Sequence, residues 1–504
     1  MPTPDFSLYS HYQKQFARQA DKELLCGENG ESLSYSYIDR ESARLANYLS
    51  DIGILPGARV TVQVRKSPEA LCLYLACLRG GFVFLPLNPA FQKDELEYFL
   101  RDAGPALVVC DPDREAVVHE LAGTTQVVTL DANGQGSLVT QSRGAADDFP
   151  AVHCDRDDLA ALLYSSGTTG VPKGIMLTHG NLVSNTEALV KAWEFTEHDR
   201  LLHALPIFHV HGLFVGIGCV ILSGASMRWL PAYDAAKVVG FLPECTVMMG
   251  VPTYYTRLLA SDVFSRKQCA NMRVFISGSA PLLEETFASF EARTGHRILE
   301  RYGMTETNMN TSNPLNGARK PGTVGPPLPG VEARITNDDG DILPVNEIGK
   351  LQVRGPNVFI GYWNMPDKTA EDFTEDGFFN TGDQGRIDED GYVSIVGRSK
   401  DMVITGGLNV YPKEVENVID EMSDVRESAV IGVPHPDFGE AVVAVVVPRQ
   451  GKTVGEEAVV RATKDRLANY KIPKRVVFVD ELPRNSMGKV QKNTLRETCQ
   501  NLFT

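Results

Sequence analysis

The sequence predicts an α/β protein: a large N-terminal domain of layered α/β sheets with a β-rich subregion, then a small α+β C-terminal domain. Three observations carry this prediction. Apolar strand-like runs alternate with helical stretches of about ten residues from position 59 to beyond Pro281, which suits parallel sheets covered by helices better than a sandwich. A Gly/Pro-rich stretch at 317–330 then gives way to short β-like segments separated by turn signals. Around 397–407 a polar, charged junction interrupts the chain, and the segments beyond it suffice for a second domain. We place the boundary there, giving units 1–399 and 400–504.

Taken in order, 59–64 alternates as a strand, 68–79 reads as an apolar-faced helix, 82–85 as a strand, 93–102 as a helix and 106–110 as a third strand. Residues 137–149 read as a loop. The apolar run 159–163 is a strand, and the alternation resumes at 246–250, at 273–276 and in a helix after Pro281. The charge-free stretch 201–227 contains Pro206, three histidines and four glycines, so it predicts a buried α/β segment rather than a membrane span. Segments 332–335 and 349–353 supply the β-rich subregion. Beyond the junction come a helix at 412–420, strands at 429–433 and 441–447, a helix at 456–467 and a strand at 475–479. The chain shows no repeat of 20 to 50 residues and no low-complexity tract.

Composition narrows the function. Of the 504 residues, 43% are hydrophobic and 22% charged, which excludes collagen-like, disordered and coiled-coil classes. Lys plus Arg number 49 against 64 Asp plus Glu, a formal charge of -15. A field of that sign repels nucleic acid and anionic membranes, so neither is expected as a partner, and an anionic ligand must be held by local features. The nine cysteines are odd in number, scattered and never in a C-x-x-C, which suits a reducing compartment. With no apolar run near the N-terminus, the expected location is cytoplasmic.

The strongest local signal is Tyr164-Ser165-Ser166-Gly167-Thr168-Thr169-Gly170-Val171-Pro172-Lys173-Gly174, directly after the apolar run 159–163. A strand feeding a loop of Gly, Ser and Thr aims backbone N–H groups and hydroxyls at phosphate oxygens. Lys173 closes the run. Because it lies between Pro172 and Gly174, the loop is not a Walker A sequence, yet its composition still points to phosphate.

With this loop the chain resembles the adenylate-forming acyl-CoA synthetases, relatives of the luciferases and of peptide-synthetase adenylation domains. The resemblance runs nearly end to end. It includes Arg301-Tyr302-Gly303-Met304-Thr305-Glu306, Tyr362-Trp363-Asn364, Thr381-Gly382-Asp383, Gly397-Arg398-Ser399-Lys400-Asp401 and Pro483-Arg484-Asn485-Ser486-Met487-Gly488-Lys489. It implies a mobile C-terminal domain and two half-reactions: a carboxylate and MgATP give an acyl-adenylate, which coenzyme A then thiolyses.

The resemblance also implies roles. Ser165, Ser166, Gly167, Thr168, Thr169, Gly170 and Lys173 would hold phosphates, and Glu306, which with Thr305 is expected to follow a Tyr302-Gly303 turn, would ligate Mg²⁺ with Thr168 as helper, since that ion needs hard oxygen donors. Tyr302 offers a flat face to adenine, Ser279-Ala280-Pro281 offer backbone to its edge, and Glu300, Gly303 and Thr305 complete that wall. Asp383 can accept the ribose hydroxyls, and Arg398 can reach ribose or phosphate. Lys489 would be the catalytic lysine of adenylation, a point charge where negative charge develops. Gly406 and Gly407 would let the pantetheine arm pass, and Lys400 would be the hinge. The segment around Lys489 also resembles one that is acetylated in such enzymes, so a lysine acetyltransferase and deacetylase are expected partners.

The substrate reading rests on Arg301, which stands where relatives commonly have a small residue. A guanidinium beside the acyl pocket is a poor neighbour for a fatty chain and a good partner for a second carboxylate, with Ser279 close by. His209, in Pro206-Ile207-Phe208-His209-Val210-His211-Gly212, takes the gate position between pocket and ATP. The arrangement resembles the malonyl-CoA and methylmalonyl-CoA synthetases, so a small dicarboxylate is the expected substrate. Two alternatives stand: a ligase for another short-chain or aromatic acid, with Arg301 turned away or paired to Glu300, and an adenylation module without CoA ligation.

Overall fold

Strand Arg59–Gln63 lies inside a seven-stranded sheet, flanked in parallel by Val83–Pro86 and Leu107–Cys110. The computed structural model describes residues 5–165, 172–405, 408–485 and 488–503. Gln126–Thr129 adds to one edge, while Leu159–Ser165, Lys173–Thr178 and the short Gly361–Tyr362 extend the other. A second, eight-stranded sheet has Arg200–His203 inside it, between Ser226–Trp229 and Val247–Gly250, both parallel to it. Val274–Ser277 and Leu299–Met304 continue that parallel run, and Asn308–Ser312 closes it antiparallel. In open parallel sheets ligands bind beyond the carboxyl ends of the strands, which here are Gln63, His203, Gly250 and Ser277.

The two sheets share one apolar core with the helices between them. Helix Pro68–Gly80 shows why. Ser67 caps it by accepting from the Ala70 N–H, Pro68 opens it, and Gly81 ends it in the left-handed region at φ 67°. Every residue from Ala70 to Gly80 is buried, the mark of an interior helix.

The β-rich subregion is an antiparallel sheet of Glu332–Thr336, Gly349–Arg354, Phe379–Ile387 and Val393–Arg398. After the 3₁₀ turn Ser399–Asp401 comes a further sheet, with Val425–His435 paired antiparallel to Gly439–Pro448 and Arg475–Phe478 parallel beside the latter. Its period-two alternation sends Val442, Ala444 and Val446 into one core with helices Pro412–Asp420 and Glu456–Lys464. Val443, Val445 and Val447 enter another with helix Lys492–Cys499. Arg449 reaches across to Glu285 on helix Glu284–Thr294, at 2.5 Å.

Two expectations are corrected. The loop expected at 137–149 begins as helix Ser137–Ser142, because Leu138 is fully buried and Val139 packs on the same core. Tyr302-Gly303 does not form a turn ahead of Thr305 and Glu306. It lies inside Leu299–Met304, and the turn falls on Thr305 to Thr307, leading into the antiparallel Asn308–Ser312.

Candidate active site

The carboxyl ends of the second sheet converge on one cleft. Beyond Val274–Ser277 the backbone swings through Gly278 to Ser279, which is held at φ 70°, a left-handed conformation costly for a side chain and typical of functional turns. Gly278 leaves room for the Arg301 side chain. An added Cβ would sit 2.4 Å from the Arg301 Cζ on the next strand.

Arg301 is only 3% exposed, and its Nε and Nη2 are buried without a hydrogen-bond partner. Burial pushes its guanidinium down to about 9. No salt bridge joins it to a carboxylate among the described residues, Glu300 included. Successive strand residues face opposite sides, and Glu300 turns toward the backbone of Gly322 and Leu282. There burial pushes the Glu300 carboxyl up to about 8. A buried cation with open donors is a strong site for an anion, because leaving it unpaired is costly.

Lys489 enters the same cleft from the C-terminal unit. Desolvation and Arg398 lower its ammonium, while Asp383 and Glu306 oppose them, so the four groups share one field. Burial and the Lys489 ammonium together push the His209 imidazole down to about 3, holding it neutral. Glu306 is buried, which raises its carboxyl, and Arg398, Lys173 and Lys489 draw it back down. On the far side Asp383 receives the Tyr302 hydroxyl on one oxygen and Arg398 Nε at 2.6 Å on the other. This fixes the plane of Tyr302. Gly303 is forced too, since a Cβ there would lie 1.9 Å from the Asn308 carbonyl oxygen.

Lys173 lies over the Tyr362 ring at 4.4 Å and 3.9 Å from Asp372. The phosphate-loop stems are pinned by Tyr164 on Asp102 at 2.5 Å and by Tyr98 on the Pro172 carbonyl at 2.8 Å. Ser165 ends the first stem. The expected loop residues Ser166, Gly167, Thr168, Thr169 and Gly170, and the expected pantetheine glycines Gly406 and Gly407, lie outside the described residues. Ala280 and Pro281 lead from Ser279 toward helix Glu284–Thr294, Thr305 is half-buried in the turn, and Lys400 is exposed in the 3₁₀ turn.

A model of the AMP-binding enzyme matches residues 12–363, and one of its C-terminal domain matches residues 414–489. The chain belongs to the AMP-binding enzyme family. Among relatives of this AMP-binding enzyme, malonate–CoA ligase of Arabidopsis thaliana is 35% identical, over 94% of this chain and 86% of its own. The crystal structure of ATP-bound MatB from Rhodopseudomonas palustris is 51% identical, covers 99% of this chain and 100% of its own, and superposes with a TM-score of 0.97. The apo structure of the same MatB has the same identity and coverage but a TM-score of 0.86.

The site of this AMP-binding enzyme contains residues that sequence reasoning did not assign. His211 Nδ1 lies 3.3 Å from Ser279 Oγ, and Arg301 helps to depress its imidazole. Its position two residues beyond His209 was a usable signal. Tyr362, a neighbour of Lys173, lies in the motif Tyr362-Trp363-Asn364, whereas Asp372 carries no such signal, because its approach depends on how a distant segment folds back. For Mg²⁺, Glu306 fits as a single buried carboxylate beside cationic phosphate ligands. That ion typically takes one or two carboxylates and completes its shell with substrate phosphates and water.

Proposed function

We propose that this AMP-binding enzyme is an ATP-dependent malonate–CoA ligase, making malonyl-CoA from malonate, coenzyme A and MgATP and releasing AMP and pyrophosphate. Arg301 carries the reading. One malonate carboxylate can meet its unpartnered nitrogens, with Ser279 and His211 at hand, which leaves the other facing Lys489 and the α-phosphate.

In the first half-reaction a carboxylate oxygen bonds to the α-phosphorus while the bond from that phosphorus to the bridging oxygen breaks, and pyrophosphate leaves with the electron pair. Lys489 stabilises the charge developing on these oxygens, Lys173 holds the outgoing phosphates, and Asp383 with Tyr302 and Arg398 orients the nucleoside. Mg²⁺, held by Glu306 and Thr168, would neutralise phosphate charge. Neutral His209 walls the acid from the nucleotide without repelling Arg301. In the second half-reaction the coenzyme A thiol gives its proton to solvent, the thiolate attacks the acyl carbon, a C–S bond forms, and the C–O bond to AMP breaks, AMP leaving with the electron pair. Gly406 and Gly407 would line the arm's path after the unit 400–504 turns about Lys400.

The Lys489 ammonium is desolvated in the cleft although the residue as a whole is exposed; a turn of the unit 400–504 about Lys400 would carry it into solvent, and we assign it also as the target of a cytoplasmic acetyltransferase and deacetylase. Acetylation removes its charge and should stop adenylation. Undiminished pyrophosphate release from fully Lys489-acetylated protein would contradict that role. The function itself is tested with malonate, methylmalonate, acetate, butyrate and benzoate, each with and without coenzyme A. Malonate-dependent pyrophosphate release, with malonyl-CoA appearing only when coenzyme A is present, is the expected result. A preference for a monocarboxylate would overturn the substrate, and adenylate formation without any thioester would overturn the ligase.

A further inference from the structure

Lys66 is buried and lies three residues beyond the strand Arg59–Gln63 of the seven-stranded sheet. Its ammonium crosses to the other sheet. Nζ lies 2.7 Å from His203 Nδ1, 2.9 Å from the His203 carbonyl, 3.0 Å from the Leu205 carbonyl and 2.7 Å from the Leu230 carbonyl. It also sits 4.1 Å over the Trp229 ring, on which His203 stacks. Burial works against its charge. Four acceptors and an aromatic face work for it, and three ammonium hydrogens suit such a ring of oxygens and nitrogen.

The other ring nitrogen of His203 fixes its tautomer. The ring's Nε2 is 2.9 Å from the Gly212 carbonyl oxygen, which can only accept, so Nε2 carries the hydrogen and Nδ1 accepts from Lys66. Gly212 lies in the π-helix His211–Ile217, a rare geometry found mostly at functional sites. The helix sits tightly here. A Cβ on Gly212 would be 2.0 Å from the Pro206 carbonyl, and one on Gly216 would be 3.2 Å from the His203 ring. The segment that Lys66 and His203 grip at Leu205 and Gly212 is therefore the one that carries His209 and His211.

We infer that Lys66 and His203 form a buried cross-sheet clamp whose hydrogen bond to Gly212 positions His209 and His211 against the acid. They are positioning residues, since the ammonium and the ring are taken up by each other and by the carbonyls of His203, Leu205, Leu230 and Gly212. The inference rests on the acid site proposed above. It predicts a selective effect: loosening the Gly212 bond displaces the acid-facing histidines but not the nucleotide wall built from Tyr302, Asp383 and Arg398.

Two substitutions separate the two bonds of the ring. His203→Asn puts an oxygen where Nδ1 is, keeping the acceptor for Lys66 and losing the donor to Gly212. His203→Gln puts an NH₂ where Nε2 is, keeping that donor and losing the acceptor. Both give up the stacking on Trp229, so they burden the fold alike.

The full chain of each is assayed for pyrophosphate release, with KM for malonate and for ATP measured separately. His203→Asn should raise the malonate KM about tenfold, the scale of one buried hydrogen bond, and leave the ATP KM within about twofold. His203→Gln should stay within about threefold of wild type for both. Equal malonate KM values for the two variants, or an ATP KM that rises with the malonate KM, overturns the clamp. Hydrogen exchange gives a second readout that needs no substrate. Amides of 205–217 should exchange faster in the Asn variant than in the Gln variant, and equal exchange would refute the clamp. Absence of malonate-dependent release from wild type would instead strike the proposed function, and exchange would still decide the clamp.

Discussion

Arg301 shows how one residue sets the chemistry of a pocket: a charge that is 3% exposed and lacks a carboxylate partner must be neutralised by what binds there. Gly278 makes room for it. Gly278→Ala should push the guanidinium aside and lower kcat/KM for malonate by about a hundredfold, on the order of a misplaced binding group, with little change in the ATP KM; unchanged malonate kinetics would contradict the packing. Asp420 gives a residue-scale prediction about pH. Burial pushes its carboxyl up to about 7 from an ordinary 3.8, although Ser428 donates to it at 2.7 Å. The folded state then holds a proton that the unfolded chain releases. The stability linked to this group is complete below about pH 4 and is lost as pH rises toward 7. Asp420→Asn should therefore raise the melting temperature more at pH 8 than at pH 5, and the reverse order would contradict the assignment. Arg301 was legible in the sequence because an arginine stands where a small residue is usual. Its missing partner was not, because only the strand's period-two facing separates it from Glu300.

At the scale of elements, the strands and helices of the first sheet were readable because their apolar runs are short, continuous and separated by helical patterns. Helix Ser137–Ser142 was not, since its six residues are ordered by Leu138 meeting a core built elsewhere. The π-helix was hidden for a related reason: its geometry comes from Gly212 packing against Pro206 and from the His203 ring, contacts that no local pattern encodes. The phosphate loop was legible by composition, whereas its supports Asp102 and Tyr98 lie 62 and 74 residues upstream of the groups they hold. Helix Pro68–Gly80 offers the direct test of an element. Ser67→Ala removes a buried cap and should cost about 1 kcal/mol in urea unfolding, while Leu75→Ala in its fully buried body should cost about 2–5 kcal/mol. Equal costs would mean that the helix is held by its end rather than by its burial.

At the scale of the molecule, the C-terminal unit delivers Lys489 to a cleft otherwise built from the N-terminal sheets. The arrangement superposes better on the ATP-bound MatB structure than on the apo one, at TM-scores of 0.97 and 0.86. The Arg449–Glu285 pair bridges the two units at the surface, with both side chains partly exposed. Such pairs contribute about 0–1 kcal/mol, so Arg449→Glu should slow adenylation only severalfold, and adding Glu285→Arg should restore it; no restoration would show that the pair does not hold the units together.

The central claim is that Arg301 selects a dicarboxylate for adenylation by Lys489. The most direct measurement is kcat/KM for malonate and for butyrate in pyrophosphate release by wild type and by Arg301→Ala. The account predicts a strong preference for malonate in wild type that falls by at least about a hundredfold in the variant, because the buried cation that rejects a monocarboxylate is gone. A malonate-to-butyrate ratio unchanged by the substitution would contradict it.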